Sequence, residues 1–298
     1  MWSDCLEMTT ATFPIKLLHV SDLHFGPPHN SRVSEALLEI APTLGVDAVI
    51  ASGDFTQRAK EREFIEARQF LNQLPPVPQL VIPGNHDVPL YRVFERMTDP
   101  HKFYRKHISE ELDTVLKLDG AVLVGLDSTA PHSAITNGRM RRGQLDYCQM
   151  AFDTTVPDDY RIVVAHHPFA TAPDKVKDRV IRGAKTTAIA LDGMDIDLIL
   201  GGHLHRSYFS HSTGAGLTAD KDGGFWIIQS GTTTSNRGRS YERKKQSFNL
   251  IELNRDTLRI TQYLFSDSNG FAPHSDHDLP RNSSTLPDAT QGSAQFAG

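Results

Sequence analysis

Five times along this chain, an apolar run of strand length ends on residues that carry oxygen or nitrogen ligand atoms. IKLLHVS (15–21) runs into Asp22 and His24, and DAVIASG (47–53) into Asp54. QLVIPG (79–84) ends on Asn85, His86 and Asp87. RIVVA (161–165) delivers His166 and His167, and DLILGG (197–202) delivers His203 and His205. The first three runs alternate with amphipathic stretches at 31–44 and 59–74. That order predicts an α/β fold with parallel strands and right-handed crossovers. In an open α/β sheet, sites form outside the carboxyl ends of the strands, where all five sets fall.

Further strands are expected at 121–128, 161–167, 195–202, 225–231, 248–253 and 257–264, the later ones antiparallel. Residues 91–118 read as helical and peripheral, and 141–152 as a helix. Residues 1–13 read as a flexible leader and 14–265 as one domain. From 266 to 298 the chain is mostly Ser, Asp, His, Pro, Asn and Gly, which predicts a disordered tail.

Taken singly, each ligand-bearing end has a plain explanation. Asp suits turns and caps, and Gly-Asp or Gly-Asn suits a corner. Taken together they call for a metal centre. In a strand, Asp22 and His24 would share a face. Carboxylate, imidazole and amide donors without thiolate suit Mn, Fe, Zn, Co or Ni. Asp22, His24, Asp54, Asn85, His166, His203 and His205 are too many for one ion. Two-metal sites are a standard device for phosphoryl chemistry. Glycines before Asp54, Asn85 and His203 would let the backbone turn sharply there.

Composition narrows the partners. A net charge of -5 argues against a surface for duplex nucleic acid. Two cysteines give neither a disulfide framework nor a thiolate zinc motif and suit a reducing cytoplasm. No basic-apolar signal segment and no membrane-length apolar run is present in the sequence.

The order Asp22-x-His24, Gly53-Asp54, Gly84-Asn85-His86-Asp87, His166 after a strand, and Gly202-His203-Leu204-His205 resembles the calcineurin-like metallophosphoesterases. The resemblance spans residues 15 to about 265. Within the superfamily the chain is similar to the class III cyclic-nucleotide phosphodiesterases of bacteria. The resemblance implies a four-layer αββα sandwich, two stacked mixed sheets flanked by helices. It implies that Asp22, His24 and His205 hold one metal, that Asn85, His166 and His203 hold the other, and that Asp54 bridges. Mn and Fe are the favoured ions, and a bridging hydroxide is the expected nucleophile. His86 would contact phosphate and donate a proton, with Asp87 behind it as an orienting group. The His-His-Pro form favours His166 over His167 as the ligand. Relatives are often dimers, which leaves a homodimer open. GDFTQRA and GNHD depart from the protein-phosphatase forms Gly-Asp-x-x-Asp-Arg-Gly and Gly-Asn-His-Glu, so that branch is disfavoured.

The expected activity is hydrolysis of a cyclic nucleotide or another small phosphodiester. Asn85, His86, His205 and Arg237 are the candidate substrate contacts. One alternative is a hydrolase of a nucleotide-linked lipid pyrophosphate, with 89–97 as its apolar entry, or a broad phosphomonoesterase. Another is a scaffold without catalysis, which predicts eroded ligands; none is eroded.

Overall fold

In the computed structural model, residues 12–133, 137–173, 178–219 and 223–281 and a strand at 293–295 are described. β1 (Ile15–Val20), β2 (Ala48–Ala51) and β3 (Gln79–Val81) lie parallel, as the alternating pattern predicts. The crossovers are α1 (Ser31–Ile40) and α2 (Glu61–Leu71). α1 buries Val33 and Leu37, and α2 buries Phe64, Ala67, Phe70 and Leu71, spaced three or four apart along one face as in an amphipathic helix. The sheet continues on the other side of β1 with β10 (Ser247–Leu253), β11 (Thr257–Ser266) and β12 (Gly270–Pro280), giving the order β12-β11-β10-β1-β2-β3.

The second sheet contains β4 (Thr114–Leu118), β5 (Ala121–Leu126), β6 (Tyr160–Ala165), β7 (Leu198–Gly201), β8 (Tyr208–His211), β9 (Trp226–Gln229) and β13 (Ser293–Gln295). Its order is β13-β8-β9-β7-β6-β5-β4. α5 (Arg142–Phe152) and α6 (Ala184–Asp192) cover its outer face. The short α3 (Val93–Thr98) and α4 (Lys102–His107) lie on the side of the first sheet, where α4 packs against α2.

Three apolar layers hold this sandwich together. Leu17, Ile50 and Leu80 meet Leu123, Ile162, Leu198 and Ile228 between the sheets. The alternate residues Leu18, Val20 and Val49 face α1 and α2, and Val163, Ile199 and Ile227 face α5 and α6. Both faces of the central strands are therefore dry, so their sequences are continuous apolar runs rather than alternating ones. Each fully buried Leu or Ile contributes roughly 1.5–3 kcal/mol.

Three expectations change, and one helix is added. Residues 114–118 are not helical; they form β4, paired antiparallel with β5. The strand at 225–231 is parallel to β7, because β8 intervenes as a hairpin partner. α6 carries only a short apolar pattern and had no signal in the sequence. The third change is the tail. Residues 270–280 form β12, paired along its whole length with β11. An outer strand needs backbone partners more than apolar side chains. Here Phe271 and Leu279 alone are buried apolar anchors, while Asp276 and Asp278 bond Thr261 and Arg259 across the strands. Most of the expected leader, 1–11, lies outside the described residues, as do 282–292 and 296–298. Thr12 is tied to Asp119, and the Phe13 ring meets Tyr160 edge-on. No helix among the described residues is long and apolar enough to cross a membrane.

Candidate metal centre

All five ligand-bearing loops converge at one end of the two sheets. β1 stops at Val20, so Asp22 and His24 do not share a strand face as expected. Both take left-handed backbone angles, φ 53° and 49°. Their loop runs beside the one after β2: Asp22 N–H donates to Gly53 O and His24 N–H to Asp54 O, both at 3.0 Å. Asp54, His203 and His205 are also left-handed, at φ 56°, 72° and 55°. Such conformations cost non-glycine residues on the order of 1–3 kcal/mol and persist only where surroundings over-determine them. They fall on five of the seven candidate ligands, so the backbone at this end of the sheets is held in place by its surroundings. Gly84 is required for close approach, since a Cβ there would overlap the Asp54 carboxylate. Gly53, at φ 100°, would bring a Cβ to 2.8 Å from His166 Nδ1.

Asp22, His24, Asp54 and His205 present ligand atoms that all lie within 4.8 Å of one another. His205 Nε2 is 3.0 Å from Asp22 Oδ1 and 3.1 Å from His24 Nε2. Donors about 2.1 Å from one cation, at a right angle, lie about 3.0 Å apart, so this spacing suits a shared ion. The tautomers suit it too. His24 Nδ1 faces Thr56 O at 3.3 Å and His205 Nδ1 faces Arg237 O at 3.2 Å. A carbonyl only accepts, so the proton sits on Nδ1 and the lone pair on Nε2. Asp22 Oδ2 accepts from Ser21 Oγ and His203 N–H, while Oδ1 is buried with no hydrogen-bond partner.

A second group adjoins the first through Asp54. His166 Nε2 lies 3.4 Å from Asp54 Oδ2 and 3.3 Å from Asn85 Oδ1, and its Nδ1 faces Ser52 O at 2.7 Å. His203 Nδ1 lies 2.7 Å from Asn85 Oδ1. His167 turns the other way, its Nδ1 2.8 Å from Ser128 Oγ. Asp54 Oδ1 accepts from His86 N–H at 2.7 Å, and Oδ2, like Asp22 Oδ1, is buried without a partner.

Charge distribution follows from burial. Burial opposes ionisation of Asp22 and Asp54, but His205 beside the first and His166 and His86 beside the second outweigh it. Both carboxyls are held well below their usual range. Burial lowers His24 to about 4 and His203 to about 3, which keeps them neutral donors. Burial also opposes charge on His166, yet Asp54 draws it up to about 9.

His86 lines the mouth with its ring edge-on to His24, centroids 4.8 Å apart. Its Nδ1 donates to Gln57 O at 2.9 Å. The expected orienting role of Asp87 is therefore corrected. The Asp87 carboxylate accepts from Phe55 N–H, Thr56 N–H and Oγ1, and Gly84 N–H, with no bond to the His86 ring. It ties the loop after β3 to the loop after β2. Burial and the charge of Asp54 push its carboxyl up to about 7. Arg237 is brought to the site, Nη1 donating to Gln57 Oε1 at 2.9 Å. The cleft measures about 390 Å³ and is lined by Asp54, Asn85, His86, His203, His205 and Arg237, with Asp178, Arg179, Leu204 and Arg239. Gln57 and Arg179 were not singled out in the sequence, where neither stands beside a strand end. The 89–97 segment exposes Leu90, Tyr91, Val93, Phe94 and Met97.

The model for the family described as calcineurin-like phosphoesterase matches residues 15–207, and the chain belongs to that family. By family it is a metal-dependent phosphoesterase. A cAMP/cGMP dual specificity phosphodiesterase from Mycobacterium tuberculosis is 25% identical over 81% of this chain and 77% of its own length. A "Probable cyclic nucleotide phosphodiesterase" from Rhodococcus erythropolis is 27% identical over 67% of each chain. Among solved structures, PhoD superposes with a TM-score of 0.67 at 9% identity, covering 97% of this chain and 72% of that one. A purple acid phosphatase from yellow lupin gives 0.62 at 11% identity, with 90% of this chain covering 54% of the lupin chain. At such identities these structures share the fold.

Proposed function

We propose that the protein hydrolyses small phosphodiesters at a centre for two divalent cations. Asp22, His24 and His205 would hold one cation, Asn85, His166 and His203 the other, with Asp54 shared. One observation carries this reading. The partnerless Asp54 Oδ2 lies between the two groups, 3.8 Å from His24 Nε2 and 3.4 Å from His166 Nε2. An ionised carboxylate buried in that position wants positive charge on both sides. When bound, the cations supply Lewis acidity and make a nucleophile from water near neutral pH.

The rest of the work falls to the chain. The backbone carbonyls of Ser52, Thr56 and Arg237 fix the imidazoles so that the donor nitrogens need no reorganisation. His86, held at Nδ1 by Gln57 O, keeps Nε2 for the cleft. The leaving group of a diester is a poor alkoxide, and protonated His86, with its Nδ1–H on Gln57 O, would deliver its Nε2 proton to it and remain as the neutral imidazole. Burial lowers the His86 pKa, which makes its protonated form a stronger acid. Arg237, which lines the cleft, would meet a phosphoryl oxygen. The two curated relatives make cyclic nucleotides the first substrates to test. A cytoplasmic setting and a homodimer belong to the same proposal.

A second reading has one observation behind it. The exposed apolar segment 90–97 follows directly on the His86 loop, as an entry for a lipid-linked nucleotide would. Rates on cyclic AMP and on an amphiphilic nucleotide pyrophosphate, measured side by side with Mn²⁺, separate the two readings.

A further inference from the structure

We propose that the natural substrate carries a phosphate group in addition to the scissile diester, and that Arg179, Arg237 and Arg239 receive it. The proposal rests on the phosphodiesterase reading and narrows it.

The chain is acidic overall, at -5, yet three guanidinium groups line the one cleft that holds the ligand residues. Among the described residues none of the three forms an ion pair. The acid beside them, Asp178, is engaged by the buried Arg206. The side-chain partner of Arg237 is a neutral amide, Gln57 Oε1. Arginines that share one cleft without acidic partners repel one another. An anion in the cleft removes that penalty.

The arginines are also held in place. Arg237 O accepts from His205 Nδ1 and Arg239 N–H donates to His205 O, so the loop that orients a ligand histidine also carries two guanidiniums. Gln57 joins Arg237 to the His86 ring, its carbonyl serving one and its side chain the other. Arg179 comes to the same cleft from a separate loop.

A singly charged diester does not call for all of this. Its charge falls to the ligand cluster and one arginine, and two guanidiniums remain. A cleft of about 390 Å³ sits in the range that accepts a whole small ligand, beyond a lone diester group. The planar guanidinium fork matches phosphate oxygens two at a time, which favours phosphate as the second group.

Binding of adenosine 5′-monophosphate and adenosine 3′,5′-bisphosphate to the Mn²⁺-loaded protein, read by calorimetry, tests this. The bisphosphate should bind at least about tenfold tighter, the gain of one charge-assisted contact set. In Arg179→Ala/Arg239→Ala the ratio should fall towards one. If that double variant melts early by circular dichroism, Arg179→Gln and Arg239→Gln singly should each reduce the ratio. Equal affinities in the unaltered protein would overturn the proposal, and so would a ratio that survives in the variants. Turnover of bis-p-nitrophenyl phosphate by the same preparation keeps the two readings apart. No turnover removes the phosphodiesterase reading; turnover with equal affinities removes the second phosphate alone.

Discussion

His24 and His205 confront each other through Nε2 at 3.1 Å, each with its Nδ1 proton turned to a carbonyl. Two lone pairs at that distance repel unless a cation lies between them. Both rings are buried, so water does not relieve the contact. The arrangement is strained as protein and comfortable as a ligand set. Adding Mn²⁺ to metal-free protein should therefore raise the melting temperature by several degrees. The gain should shrink in His205→Ala, as measured by differential scanning fluorimetry.

Asp54→Ala should remove metal and diesterase activity together. Elemental analysis of the purified variant should show loss of both cations, because Asp54 Oδ2 sits between the two groups. A variant that keeps its metal and its activity contradicts the shared-carboxylate arrangement.

His86→Ala should behave differently. The metals should stay, since His86 contributes a backbone N–H to Asp54 and that bond survives the substitution. Turnover of bis-p-nitrophenyl phosphate should fall about 10²–10⁴-fold, the usual range for a lost general acid. Loss of metal content would make His86 a ligand instead.

Much of this was legible in the chain. The convergence of the five strand-end groups could be read, because buried parallel strands write themselves as continuous apolar runs and polar residues interrupt them abruptly. The convergence of Asp22 and His24 has a cause that the sequence does not show. Strand periodicity would put both on one face, whereas left-handed backbone at both residues brings them together, and nothing in a residue's identity reports its φ. Asp87 was misassigned because adjacency in sequence says little about which donors a carboxylate meets. β12 was hidden because an outer strand needs few apolar side chains.

That strand gives a prediction of its own. A chain ending at Ser266 loses β12, whose Phe271 packs on Phe248 and Phe265 and whose Pro280 O accepts from Trp226 Nε1. Deletion of a buried aromatic alone costs about 3–5 kcal/mol. The truncated protein should melt well below the full chain or fail to accumulate as soluble protein. An unchanged melting temperature would contradict the pairing with β11.

Acid should destabilise the protein through His211, which burial lowers from 6.5 to about 4. Between those values the unfolded chain takes up the proton first. Its contribution to stability is present above pH 6.5 and is lost as pH falls towards 4. In chelator, urea midpoints of His211→Asn should fall less steeply across that window than those of the unaltered protein. Parallel slopes would contradict the assignment.

The most direct measurement is a titration of metal-free protein with Mn²⁺ while hydrolysis of bis-p-nitrophenyl phosphate and p-nitrophenyl phosphate is followed. Diester hydrolysis that rises to a plateau at two equivalents per chain, and exceeds monoester hydrolysis, is the predicted result. A plateau at one equivalent, a monoester preference, or no hydrolysis with both sites filled would contradict a two-cation phosphodiesterase.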